Sequence, residues 1–316
     1  MKISRSKNKF VIAAIVVGLL VFSSCSTREF SLLRLTPADS CAIISLDWTA
    51  IRTDGELKRL IKGDEFESLL RQFAIESKSV KAVAVFSAIN NQPMSGLLLR
   101  AAFDREEVVA ELKRRGWTES SEDGHKVYVR STDYVAMPAT ETLFAGTREG
   151  ALAVFRAAEN SKNSIASSET YKKINATVSM NGKPVKAFLL IPQGTLDMAD
   201  AALTATSFAL SLFNLGGIGQ LLQAVNVARG FAFSLDKSVR EKYPIELCVL
   251  LSDEKAAAFV NGSLNALKTI SEMAATDNRD RANLFALKQM KIVRRRELLA
   301  ITMEVPGSAL FPPNSR

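Results

Sequence analysis

Histidine and cysteine are the scarcest reactive residues in this sequence of 316 residues, which has one histidine and three cysteines. A single histidine excludes most metal sites built on imidazole ligands, and three cysteines exclude a scaffold held by many disulfides. We therefore expect no metal and no other cofactor.

A strong charge of one sign is also missing. The chain has 41 lysines and arginines against 33 aspartates and glutamates, a formal charge of +8. Four of the bases (Lys2, Arg5, Lys7 and Lys9) lie in an amino-terminal leader without acids, which leaves 37 bases against 33 acids, or +4. A charge this small on so long a chain is not the strong basic excess typical of nucleic-acid-binding proteins, so we expect no nucleic-acid partner.

The apolar run at the amino terminus is too short to span a membrane. Phe10 to Phe22 is 13 residues long, about 20 Å as a helix against the roughly 30 Å of a bilayer core. It follows a basic start and precedes the small residues Ser23 and Ser24, the arrangement of an export signal. We expect residues 1–24 to be a signal peptide.

The residues around Cys25 resemble the lipobox of bacterial lipoproteins, although Phe22 stands where that family usually has leucine. The resemblance implies cleavage before Cys25 and acylation of this cysteine, with residues 25–36 as the lipidated tether to a membrane. Ser26 favours the outer membrane, on the side facing the periplasm, over the inner membrane. An ordinary signal peptide with an incidental cysteine and an uncleaved anchor are the alternatives.

The rest of the chain shows one order of elements twice. A strand, helices, two strands, a helix and further strands occupy residues 37–160 and again 183–308, with a linker and short helix at 161–182 and a tail at 309–316. Adjacent strands joined by short turns predict antiparallel pairing. The expected fold is α+β: two similar copies of a mostly antiparallel sheet with helices packed on one face.

Helix caps support this duplication. Asp104 is a predicted N-cap, Glu107 completes a capping box and Gly116 ends the helix. Asp253 opens the matching helix 149 residues later, close to the offset of 148 between Lys81 and Arg229.

Three short motifs resemble a group of uncharacterised bacterial envelope proteins built as tandem α+β repeats. They are Pro37-Ala38-Asp39 before a strand, Phe103-Asp104 opening a helix, and Leu143 to Thr147 leading into another. The resemblance spans Leu33 to Val305. It implies the fold and an envelope location, and it implies no activity.

Two patterns with catalytic potential are better explained structurally. His125 follows the turn residues Asp123-Gly124, with no nucleophile or orienting acid in its neighbourhood of the sequence. Ser234-Leu235-Asp236-Lys237 matches a Ser-x-x-Lys pattern but stands where a strand enters a charged turn rather than at the start of a helix. We expect no catalytic residues.

Two further features leave alternatives open. Arg294-Arg295-Arg296 is a solvated hairpin tip or a contact with anionic headgroups. Cys41 and Cys248 are free buried thiols or, in an oxidising compartment, a disulfide between the copies.

The stretch from Ala201 to Ala228 contains no charged residue. A nearly all-apolar helical region must be covered on most sides. Burial between the copies is one explanation. A groove for an acyl chain or a partner helix is another, with membrane insertion as a third. The groove hypothesis places its walls at Phe208, Leu212, Phe213 and Leu222.

These features together predict a lipid-anchored envelope protein that is not an enzyme. It would act as a binding or scaffold protein for an envelope protein, a lipid or an envelope polymer. The alternative is an envelope hydrolase whose active site is assembled only in three dimensions, with two carboxylates about 5 to 9 Å apart in a cleft.

Overall fold

The computed structural model describes residues 32–60, 63–88, 94–177, 182–190, 228–274 and 289–307. These described residues belong to one compact unit. The leader with Cys25 lies outside the described residues, and so do Phe208, Leu212, Phe213 and Leu222. Lipidation and the apolar groove therefore stay predictions. In the part of the chain that is described, no helix combines the length and the hydropathy needed to cross a bilayer.

Antiparallel pairing joins twelve strands of the described residues into a single sheet. The strands are β1 Ala42–Asp47, β2 Val80–Ala88, β3 Met94–Ala101, β4 Thr118–Glu122, β5 His125–Arg130, β6 Asp133–Ala139, β7 Thr142–Gly146, β8 Val185–Leu190, β9 Ala228–Leu235, β10 Lys242–Leu251, β11 Lys291–Arg295 and β12 Leu298–Pro306. The helices are α1 Trp48–Thr53, α2 Gly63–Arg71, α3 Arg105–Arg114, α4 Arg148–Glu159, α5 Glu169–Thr177 and α6 Glu254–Ala274.

The strand order shows the duplication. Read outward from the middle of the sheet, one half runs β1-β2-β3-β7-β6 and the other runs β8-β9-β10-β12-β11. The halves meet where β1 pairs with β8, with Ile44 opposite Ala187. The predicted fold class is thereby confirmed: two α+β copies, here fused edge to edge in one sheet. Whether each copy folds as a separate unit stays a prediction.

The first copy carries a hairpin that breaks this symmetry. Strands β4 and β5 continue the sheet beyond β6, and the described part of the second copy has no equivalent. Sequence reasoning missed β4, because Thr118–Glu122 is polar and almost wholly exposed. Asp123 and Gly124 both take positive φ in the turn (49° and 80°), the geometry of a tight hairpin. Pairing with β5 therefore forms a strand where side-chain pattern predicts none.

Helices lie on both faces of the sheet rather than on the one face expected. Leu143 of β7 packs in the same cluster as Leu112 of α3. The next residue, Phe144, packs with Val154 of α4 on the opposite face. Helices α1, α2 and α6 share the side of α3, whereas α5 lies with α4. Because the central strands carry apolar side chains on both faces, both faces need a cover.

The predicted helix caps are confirmed. The Asp104 carboxylate accepts the backbone N–H groups of Glu106 and Glu107 at 2.7 and 3.4 Å, and Gly116 ends the helix at φ 81°. Asp253 caps α6 in the same way. Each cap satisfies N–H groups that have no partner within the helix.

Cys41 and Cys248 are free, buried thiols. Two strands, β8 and β9, lie between β1 and β10, and strands are spaced about 4.8 Å apart. The resulting separation exceeds the Cα distance that a disulfide can bridge. Burial raises the pKa of Cys248 to about 12, so this thiol is chemically inert at neutral pH.

Candidate functional site

The two patterns with catalytic potential, at His125 and at Ser234, have structural contacts in the fold. The His125 ring stacks on Phe155 at 4.1 Å, and its Nε2 lies 3.1 Å from a Glu159 carboxylate oxygen. It therefore ties the β4–β5 hairpin to α4. Ser234 is buried within β9, and the segment after it continues as a turn rather than a helix. A Ser-x-x-Lys nucleophile needs helical spacing between the two residues, which this segment does not provide.

A cleft lies between α3 and strands β5 and β6 of the first copy. Its volume is about 520 Å³, within the usual range of small-molecule sites. One face of α3 and three strand residues line it: Arg105, Glu106, Val109, Ala110, Lys113, Lys126, Tyr128 and Met137. We call this space the α3 cleft.

Regular secondary structure positions the lining side chains. Arg105, Val109 and Lys113 follow one another at intervals of four along α3, so they share a face of the helix. Lys126 and Tyr128 alternate along β5 and so share a face of the sheet. Val108 and Leu112 anchor α3 in the core below. The cleft is therefore bounded by rigid elements rather than by loops.

The cleft has an apolar lining with cations around it. Val109, Ala110 and Met137 supply apolar surface, and the buried Tyr128 lies beneath them. The Arg105 guanidinium donates to the Ala139 carbonyl oxygen at 2.9 Å. Among the described residues, Arg105 makes no ion pair.

The two lysines share one acid just outside the lining. Lys126 Nζ lies 2.7 Å from a Glu119 carboxylate oxygen, and Lys113 Nζ lies 3.7 Å from the other. The hydrogen bond from Lys126 lowers the pKa of Glu119, and Glu119 in turn raises the pKa of Lys126. Lys126 is therefore held in its charged form, and the single carboxylate of Glu119 carries one negative charge against two lysines.

Tyr128 is the buried polar residue of the cleft. The residue is only 2% exposed. Its hydroxyl makes no hydrogen bond of standard geometry within the described structure, although it lies near enough to the Lys126 ammonium to help raise the pKa of that lysine. The Lys126 ammonium lies 5.7 Å from the centre of the Tyr128 ring. Buried hydroxyls are nearly always hydrogen-bonded, so an exception inside a cleft needs an explanation.

Sequence reasoning did not find this cleft. Its residues come from one helix and two separate strands, and the hairpin that carries Lys126 and Tyr128 includes the strand β4 that no pattern predicted. The available signal was Arg105, Val109 and Lys113 at helical spacing on a helix that was correctly predicted.

No known protein family matches the sequence, and no curated protein matches it. Three crystal forms of the protein TP0453 are similar to this chain in fold. Form I is 12% identical to this chain with a TM-score of 0.49, and the match covers 90% of this chain and 96% of the TP0453 chain. Form III is 12% identical with a TM-score of 0.48, and the match covers 88% of this chain and 95% of the TP0453 chain. Form IV is 11% identical with a TM-score of 0.49, and the match covers 88% of this chain and 94% of the TP0453 chain. At these values no ligand, activity or location passes from TP0453 to this chain.

Proposed function

We propose that the chain is a bacterial envelope lipoprotein, anchored by acylated Cys25, that binds a ligand in the α3 cleft without transforming it. The observation that carries the binding role is the cleft itself, which combines apolar surface, cations and a buried hydroxyl on rigid elements. The leader supports the anchor. Ser26 favours the outer membrane facing the periplasm.

The lining chemistry favours binding over hydrolysis. A hydrolase of the two-carboxylate kind needs both acids available in the cleft. Glu106 is the one acid in the lining, and nearby Glu119 is held by Lys126 and Lys113. The lining has no serine, cysteine or histidine. We therefore propose a non-enzymatic role.

The anchor is tested by the Cys25→Ala variant. We expect this variant to stay uncut and to incorporate no radioactive palmitate, because the acylated sulfur is gone. Cys41→Ala is the matched control and should mature and label like the wild type. A Cys25→Ala chain that still matures to the same size and remains membrane-bound would contradict lipidation.

The binding role is tested by filling the cleft. Ala110 is exposed on α3, so Ala110→Trp adds bulk to the cleft without disturbing the core. Small molecules extracted from the full chain, purified from its native membrane, are compared by mass spectrometry. We expect a compound that accompanies the wild type to fall about tenfold or more in the variant.

Ala258→Trp, at an exposed position of α6 in the second copy, is the control and should retain the compound. Identical extracts from wild type and Ala110→Trp would overturn binding in this cleft. Conversion of the retained compound by the purified protein would overturn the non-enzymatic role.

A further inference from the structure

We infer that the α3 cleft takes a small amphiphilic anion, with its acidic group beside Arg105, Lys126 and Tyr128 and its apolar body along Val109 and Met137. This inference rests on the proposed function and names the chemistry of its ligand. It covers carboxylates and phosphate esters alike, since both present charged oxygen acceptors.

The cations supply the first part of the argument. Arg105 carries five N–H donors, and the hydrogen bond that it makes within the described residues goes to the neutral Ala139 carbonyl. Lys113 and Lys126 share the single carboxylate of Glu119. Even with Glu106 in the lining, the side chains around the cleft keep a net positive charge. An anion is the ligand that balances it.

The Tyr128 hydroxyl supplies the second part. It is buried, and its nearest polar partner is the Lys126 ammonium, two residues away on the same face of β5, with which it interacts without a hydrogen bond of standard geometry. A bound acid can contact this ammonium and, as the Lys126 side chain turns towards it, accept a hydrogen bond from the hydroxyl that the lysine had covered. Charge-assisted hydrogen bonds of this kind are stronger than those between neutral groups.

The apolar lining supplies the third part. Val109, Ala110 and Met137 offer no hydrogen bonds, so they favour a hydrocarbon or aromatic body over a sugar. Methionine adapts to ligands of different shape because its side chain is flexible and polarizable. An inorganic anion alone would leave this surface uncovered.

The test uses probes that share one apolar body and differ in charge. Calorimetric titration of the full acylated chain in a non-ionic detergent compares 4-phenylbutyrate, 4-phenylbutylamine and 4-phenyl-1-butanol, with phenyl phosphate and inorganic phosphate as further arms. We expect 4-phenylbutyrate to bind at least about tenfold more tightly than the amine or the alcohol. Phenyl phosphate against 4-phenylbutyrate shows which acid is preferred, and inorganic phosphate should bind more weakly than either.

Variants locate the binding. We expect Arg105→Gln to weaken 4-phenylbutyrate about tenfold, and Tyr128→Phe to weaken it severalfold while leaving the unfolding midpoint unchanged or raised. Arg130→Gln is the matched control, because it also replaces an arginine by glutamine but at a position of β5 outside the cleft lining. The Arg130 guanidinium carbon lies 4.7 Å from the centre of the Trp117 ring. Arg130→Gln should bind like the wild type.

Three results would overturn the inference. The amine or alcohol could bind as tightly as the acid, Arg130→Gln could weaken binding as much as Arg105→Gln, or Ala110→Trp could leave binding of the acid unchanged. Failure of the acid to bind, with a native compound still displaced by Ala110→Trp, would refute the anionic ligand and keep the proposed function. If the acid does not bind and Ala110→Trp displaces no native compound, the proposed function is refuted as well.

Discussion

The two copies share a strand order but differ in the side chains at corresponding strand pairs. In the first copy, β3 and β7 place Leu98 opposite Phe144. In the second, β10 and β12 place Cys248 opposite Ala300. Strand pairing uses backbone hydrogen bonds and therefore tolerates such side-chain changes. Side-chain packing depends on the residues present and differs between the copies. The two copies therefore agree in topology and differ in their interior side chains.

The copies also differ in what has been added to them. The β4–β5 hairpin lies outside the repeated order. Arg148 of α4 holds it through Glu122 at 2.6 Å, and His125 holds it through Glu159. The hairpin's second strand supplies Lys126 and Tyr128 to the α3 cleft, so the proposed binding site lies where the first copy departs from the second. A site grafted onto a common scaffold is the usual way in which related folds acquire different functions.

The largest expected effect concerns Phe144, a first-copy residue in a core cluster that extends into the second copy. Phe144 is fully buried, whereas Phe259 of α6 in the second copy is 73% exposed. We expect Phe144→Ala to lower the free energy of unfolding by about 3–5 kcal/mol, because it leaves a cavity. Phe259→Ala is the control and should change it by less than about 0.5 kcal/mol. Urea unfolding measures both, and equal losses would contradict the assigned core.

A smaller effect is expected from glycines that adjoin the Phe144 ring. A Cβ at Gly146 would overlap the Ser95 carbonyl oxygen and lie 2.6 Å from Gly96 Cα. We expect Gly146→Ala to cost about 1–3 kcal/mol of unfolding free energy through overpacking.

Gly230 of β9 is a strand glycine of the second copy with more room around it, although β9 corresponds to β2 rather than to β7. A Cβ there would lie 3.2 Å from the Leu189 carbonyl oxygen, a contact that a small shift relieves. Gly230→Ala should therefore cost clearly less than Gly146→Ala in the same urea experiment. A larger loss of unfolding free energy in Gly230→Ala than in Gly146→Ala would contradict the tighter packing around Gly146.

The smallest expected effect is at a hydrogen bond that ties the copies together. The Tyr243 hydroxyl donates to an Asp54 carboxylate oxygen at 2.8 Å. Burial raises the pKa of Asp54, but hydrogen bonds from the Leu57 backbone, from Tyr243 and from the Glu56 backbone outweigh it and lower the pKa below its usual 3.8. The stabilisation is therefore present above about pH 4 and is lost as the pH falls through the lowered value.

We expect Tyr243→Phe to cost about 1 kcal/mol of unfolding free energy at pH 7, with the difference from wild type shrinking below about pH 4. Urea unfolding across this pH range tests it. Tyr171→Phe is the control, since this ring packs on Phe188 at 5.1 Å, and its difference should not vary with pH in the same way. A Tyr243→Phe difference that stays constant down to pH 3 would exclude Asp54 as the partner.

The sequence by itself determined the features that depend on neighbours along the chain. Asp104 and Asp253 were recognised as caps because a side-chain oxygen reaches N–H groups two and three residues away. The central strands were recognised from short apolar runs, and the repeated order of elements from their spacing. The leader around Cys25 is a local signal of the same kind.

Only the tertiary structure decided what depends on distant partners. The fusion of the copies through β1 and β8 requires pairing between Ile44 and Ala187, which no local pattern encodes. The second helical layer follows from apolar residues on both faces of the sheet. Strand β4 exists because the edge of β5 offers it hydrogen bonds, although its own side chains are polar. The α3 cleft depends on that hairpin and on a helix that packs beside it, so it forms only when both are in place.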